Sequence, residues 1–302
     1  GNQGTIVGVV MPCLQNILGI IIFIRLPSIT GEAGFFVTYV IIFLCTCATF
    51  LTTLSMNAIA TNGKLGKGGA YYLLSRSLGP ATGGSLGLLF YVATTISGAM
   101  YILGAVETFM IATGFGISSQ GITIRVFSLF ILAALIGISY VGLNYVSKTG
   151  IVFLIVALVS IFCIIIGILF APLREDQTPD GANGLSWSNF SDNSGSQYKE
   201  DSSFFVLLAI FFPACTGIMA GSNRSGDLKE PSKSIPKGTL GAHLSTTIGY
   251  YIFTFLFAAV AQKDVLLNDD IIFVSEIAFP FKFLVNAGII FSSLGAALQT
   301  LA

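Results

Sequence analysis

The chain has 302 residues, 54% hydrophobic and only 9% charged, where an ordinary soluble domain carries about a quarter charged. Fourteen basic and fourteen acidic residues cancel, which removes the basic footprint expected of a nucleic-acid binder. Five cysteines, Cys13, Cys45, Cys47, Cys163 and Cys215, lie in apolar stretches at spacings that match no zinc or redox motif. They read as buried thiols, with no metal or other cofactor implied.

Apolar runs near 5–29, 34–60, 84–114, 122–145, 149–172, 203–222, 237–262 and 283–302 each approach or exceed the about 20 residues that cross a bilayer as helix. The first is too long for a signal peptide and has no small-residue cleavage site. It also breaks the helix rule: Met11-Pro12-Cys13-Leu14-Gln15-Asn16-Ile17-Leu18-Gly19 sets a proline, two amides and a glycine at membrane depth. The sixth does the same with Phe212-Pro213-Ala214-Cys215-Thr216-Gly217-Ile218-Met219. Paired interruptions five spans apart point to an inverted-repeat transporter whose site lies near the midplane. Unwound carbonyls there would ligate a cation, and the N-terminus of the next half-helix would meet an anion. The plainer alternative for either break alone is a packing kink.

Glu107 is the one acid inside a span; it reads either as a coupling residue or as an interhelical hydrogen bond near the outer end. The chain stops at Thr300-Leu301-Ala302 without a cap, so further spans are expected to follow.

Loop charge gives an orientation. With the N-terminus inside, the loops after the second, fourth and sixth spans hold Lys64, Lys67, Arg76, Lys148, Arg224, Lys229, Lys233 and Lys237, against Asp227 and Glu230. The opposite loops hold Glu175, Asp176, Asp180, Asp192, Glu200, Asp201, Asp264, Asp269 and Asp270. The longest, 173–202, reads as an exposed extracellular loop, and Asn189-Phe190-Ser191 in it is an acceptor sequon for glycosylation.

Gln15-Asn16-Ile17 with Gly19, Ser55-Met56-Asn57 through Gly63, and Gly68-Gly69-Ala70-Tyr71-Tyr72 resemble the cation-chloride cotransporters in order and spacing. So does the block from Phe211-Phe212-Pro213 through Asp227-Leu228, closing with Lys233-Ser234-Ile235-Pro236. The likeness is nearest the potassium-chloride branch and spans essentially the whole chain. It implies an all-α membrane protein with the broken-helix, inverted-repeat fold of the amino acid-polyamine-organocation superfamily. Residues 1–302 would be the N-terminal part of the transport domain, the first eight of about twelve spans.

Carried over by position, the resemblance implies a potassium site from the backbone of Asn16 and Ile17, the carbonyl of Pro213, the hydroxyl of Thr216 and the phenol of Tyr101. One chloride would sit on the amides of Gly19, Ile20 and Ile21, a second on Gly217, Ile218 and Met219. Sodium-coupled relatives place a serine pair in the eighth span where this chain has Gly295 and Ala296, neither with a side-chain oxygen.

Two features depart from the animal potassium-chloride pattern. The 173–202 loop has no cysteine, and Cys13-Leu14-Gln15-Asn16-Ile17-Leu18 with Gly295-Ala296-Ala297-Leu298-Gln299 looks nearer to the plant-type branch. The expectation is therefore an electroneutral, sodium-independent symporter of potassium and chloride in a bilayer, with no enzyme activity. Sodium-potassium-chloride symport, an amino acid permease and a non-transporting accessory subunit are the alternatives. A homodimer, if formed, would use segments outside this chain.

Overall fold

The computed structural model describes residues 3–63, 66, 68–115, 120–174, 178–182, 184–268 and 272–301. Lys64, Lys67, Glu175, Asp176, Asp269 and Asp270, all assigned above to loops, lie outside the described residues. Helices in chain order are α1 (Met11–Ile17), α2 (Ile20–Thr61), α3 (Gly69–Leu78), α4 (Pro80–Thr113), α5 (Gln120–Val141) and α6 (Leu143–Phe170). They continue with α7 (Trp187–Asp192), α8 (Phe204–Phe211), α9 (Pro231–Val260), α10 (Lys263–Leu266), α11 (Phe273–Ile277) and α12 (Lys282–Leu301). Among the described residues seven helical segments are long and apolar enough to cross a membrane, which makes this an integral, multi-pass membrane protein.

The first of the seven covers Ile6–Thr61, and 56 residues at about 1.5 Å each would measure roughly 84 Å, well over twice a hydrocarbon core. It folds back instead. Gly34 sits at φ 75° and ψ 165°, outside any helix, and the Thr38 hydroxyl donates across the bend to the carbonyls of Ile29 (3.3 Å) and Gly34 (2.8 Å). The two arms run in opposite senses along α9. Tyr250 meets Ile17 on the first arm, while on the second Tyr39 meets Tyr251 and Asn57 meets Thr239.

Two ends of the bundle can be told apart. At one, Gln3 pairs with Leu228, Ser225 donates to the Gly66 carbonyl, and Ser147 receives Gln3 and Arg224. The basic loops gather there. At the other end Gln197 N–H donates to the Glu32 carbonyl, Lys263 to that of Gly195, and Gln262 N–H to that of Gly181. Residues 184–202 thus form a folded cap. Asn193, fully buried, donates to the Ala258 and Ala261 carbonyls that the end of α9 leaves free.

Asn189 of the sequon lies in α7, against α9, and is buried with 8% exposure in the folded chain.

The core gathers around the first arm of α2, α8 and α9, with Phe23, Phe211, Tyr250 and Phe257 fully buried. On α4 and α5 large apolar side chains such as Leu88, Ile96, Leu129 and Phe130 stay uncovered, as a lipid-facing surface requires. Four cysteines are buried and Cys47 is half-buried; all five are free thiols.

Candidate functional site

Helix α1 ends after seven residues, and Leu18 (ψ 44°) and Gly19 (ψ −163°) carry the chain to α2 in non-helical conformations. The carbonyls of Asn16, Ile17 and Leu18 are therefore released from the helix ladder. Gly19 caps α2 without any side-chain bond to its first amides. Helix α8 ends at Phe211 and gives way to 3-10 turns at Phe212–Cys215, Gly217–Met219 and Ser222–Asp227. Pro213 has no N–H to extend the helix, and the Thr216 hydroxyl donates to the Pro213 carbonyl at 2.9 Å, fixing a turn in its place.

The two breaks touch. A Cβ added at Gly217 would lie 2.9 Å from both the Asn16 carbonyl carbon and the Ile17 nitrogen, so only glycine permits this approach. Tyr101, on α4, donates to the Asn16 carbonyl at 3.2 Å. Asn16, Tyr101, Thr216, Gly217 and Met219 line one cavity of about 100 Å³, which extends toward the basic end past Asn223 and Thr300. Among its lining residues there is no ionisable group except the Tyr101 phenol.

Ile17, Pro213 and Ile218 are not among the lining residues of this cavity, and neither are Gly19, Ile20 and Ile21 at the start of α2. Gly295 and Ala296 lie on α12, buried; Gly295 faces Gln15 and Phe153, and Ala296 packs in the cluster that holds Tyr101. Electrostatically, the carbonyl end of α1 and the amide end of α2 follow one another within three residues, next to an uncharged cavity that Asn16 lines.

The model of one protein family, described as amino acid permease, matches residues 8–302. The chain belongs to that family. It is 44% identical over 332 residues to cation-chloride cotransporter 1 of Arabidopsis thaliana, covering 99% of this chain and 34% of that protein. It is 41% identical over 274 residues to solute carrier family 12 member 2 of Homo sapiens, covering 89% of this chain and 22% of the relative. The chain spans about a third of the length of the plant relatives it matches. These are transporters, not enzymes.

Three features of this permease-family site are not visible in the sequence pattern. Tyr250, 1% exposed on α9, places its hydroxyl 2.7 Å from the Ile17 carbonyl and 3.0 Å from that of Ala214, bridging both breaks with one proton. Ser292 donates to the Leu18 carbonyl. A separate cavity of about 310 Å³ on the acidic-loop side is lined by Arg25, Glu32, Glu107 and Lys199.

Glu107 thus faces a cavity and makes no hydrogen bond to a neighbouring helix among the described residues. Glu32, two residues before the Gly34 bend, is 6% exposed, and its Oε2 has no hydrogen-bond partner among the described residues. Between the two cavities lies the buried first turn of α2, Ile20 to Phe23.

Proposed function

We propose that this chain forms the ion-binding core of an electroneutral symporter that moves potassium and chloride together, without sodium, by alternating access. The observation that supports the reading is the meeting of the two breaks at Gly217, beside a cavity lined by Asn16, the Tyr101 and Thr216 hydroxyls, Gly217 and Met219 with no charged side chain. Potassium would take the Asn16, Ile17 and Pro213 carbonyls with the Tyr101 and Thr216 oxygens. Ile17 still has a lone pair to offer beside Tyr250. Chloride would take the amides of Gly19, Ile20 and Ile21, and a second chloride those of Gly217, Ile218 and Met219.

With no opposing side-chain charge lining the space, each ion lowers the desolvation cost of the other, which gives a physical reason for joint transport. The likeness to cation-chloride cotransporters supports the same ions, and bulky Leu18, Ile20 and Ile21 leave no small-residue pocket for an amino acid. The basic loops would face the cytoplasm.

Sodium-potassium-chloride symport is the second reading, because the Ser292 hydroxyl stands at the Leu18 carbonyl and supplies one more oxygen. Rubidium uptake by the full-length protein decides between the two. It should vanish when chloride is replaced by gluconate and persist when sodium is replaced by an inert organic cation. Uptake that disappears without sodium would overturn the potassium-chloride reading.

Tyr101→Phe and Thr216→Ala should each depress uptake sharply at normal surface expression. Losing a ligand to a dehydrated ion costs more than the about 1 kcal/mol of an ordinary hydrogen bond. Unchanged potassium dependence in both would remove them from the site.

A further inference from the structure

The released carbonyl end of α1 has two sides. One faces the ion cavity; the other faces α6 and α12, where Gln15, Leu18, Phe153 and Ser292 surround a void too small for a water-sized sphere. What closes that second side is an amide. A Cβ added at Gly295 would lie 3.2 Å from Gln15 Nε2, and one at Gly150 would lie 2.8 Å from both Gln15 Oε1 and Gln299 Nε2. Two bare glycines thus make room for one glutamine side chain.

Its hydrogen bonds run in a single direction. Arg224 Nη2 donates to Gln299 Oε1, Gln299 Nε2 donates to Gln15 Oε1, and Gln15 Nε2 donates to the Gly150 carbonyl. Neither amide can be turned round, because an arginine only donates and a backbone carbonyl only accepts. Arg224, Gln299 and Gln15 are 6%, 9% and 4% exposed, and Arg224 Nη1 donates to the Ser147 hydroxyl at 3.0 Å. Arg224 makes no ion pair among the described residues. A buried positive charge is therefore relayed through the Gln299 amide, which also lines the ion cavity, to the Gln15 amide on the α6 and α12 side of α1.

We propose that the Arg224–Gln299–Gln15 chain determines cation number, placing a fixed N–H donor where a second cation such as sodium would need oxygen ligands. It also ties α1 to α6 and α12 without an ion. This rests on the reading that transport is sodium-independent, and it adds the cause: the missing hydroxyls at Gly295 and Ala296 are not by themselves what excludes sodium.

The test is rubidium uptake by the full-length protein, with and without sodium, at measured surface expression. Wild type and Gly295→Ser with Ala296→Ser should both be indifferent to sodium, because Gln15 still fills the space. Adding Gln15→Leu to that pair should make sodium raise uptake about five-fold or more, the range of an ordinary site-to-site coupling.

Sodium stimulation of the serine pair with Gln15 in place would overturn the proposal alone. So would a transporting triple variant that ignores sodium. Wild-type uptake lost without sodium would overturn the sodium-independent reading and this proposal with it. A triple variant that folds but does not transport is read by thermal unfolding, where sodium chloride must raise its Tm above that in choline chloride; equal values overturn the proposal. If no variant reaches the surface, purified wild type decides: an equal Tm in the two salts supports the proposal, and a sodium-dependent rise refutes it.

Discussion

Tyr250 has one phenolic proton and two carbonyls within reach, Ile17 at 2.7 Å and Ala214 at 3.0 Å, each belonging to a different helix break. Removing the hydroxyl leaves both buried acceptors without that donor. Tyr250→Phe should therefore cost about 1–3 kcal/mol of stability and weaken potassium binding, read as a lower Tm and a raised half-saturation for uptake. An unchanged Tm together with unchanged potassium dependence would show that the breaks are held by something else.

Gly217→Ala acts by contact instead. Its methyl would meet the Asn16 and Ile17 backbone at 2.9 Å, where no flexible side chain can move aside. Overpacking of about 1–3 kcal/mol should follow, with uptake reduced at matched surface expression, because the breaks must separate. Wild-type uptake in this variant would mean that they need not touch. Of these residues, Asn16, Tyr101, Thr216 and Gly217 could be singled out in the sequence because they sit in or match a motif. Tyr250 could not, since a tyrosine inside an apolar span has the same pattern whether it packs or donates.

At the level of the elements, the reversal inside α2 hangs on Gly34. Its φ of 75° is strained for any residue with a side chain, and an added Cβ would stand 2.6 Å from the Gly195 carbonyl oxygen. Gly34→Ala should lower stability by more than about 1 kcal/mol and disturb the 193–197 cap, both visible in thermal unfolding and in protease sensitivity of the cap. A wild-type Tm would show that the bend does not depend on glycine here.

The two broken helices were legible in advance because Pro213, and Pro12 with the following amides and glycine, carry the interruption locally. Helix α3 was not, because ten residues fall short of a membrane span and the surrounding glycines read as loop. The 173–202 segment read as loop for its Ser, Asn, Asp and Gly content. That composition cannot reveal that Asn193 reaches the end of α9, nor that Phe190 packs on Phe35 and Phe255.

For the molecule as a whole, charge is unevenly shared between the two ends: Arg76, Lys148, Lys229 and Lys233 lie at one, and Asp180, Asp192, Asp201 and Asp264, with Lys199 and Lys263, at the other. In intact cells an impermeant thiol reagent should label Asp201→Cys and spare Lys233→Cys. The reverse pattern would invert the orientation and place the ion cavity, which extends toward the basic end, on the outside.

The sequence by itself determined the membrane setting, the succession of helices, their two interruptions and the charge asymmetry. Each of these is a local property, written in hydropathy, in prolines and glycines, or in loop composition. Only the tertiary structure decided that the interruptions meet at Gly217 and that Tyr250 spans them. It alone buried Asn189 and aligned Arg224, Gln299 and Gln15 in one chain of hydrogen bonds. Those facts join residues separated by 36 to more than 280 positions. At such separations no periodicity or propensity carries the information, and only the packing of the helices brings the partners together.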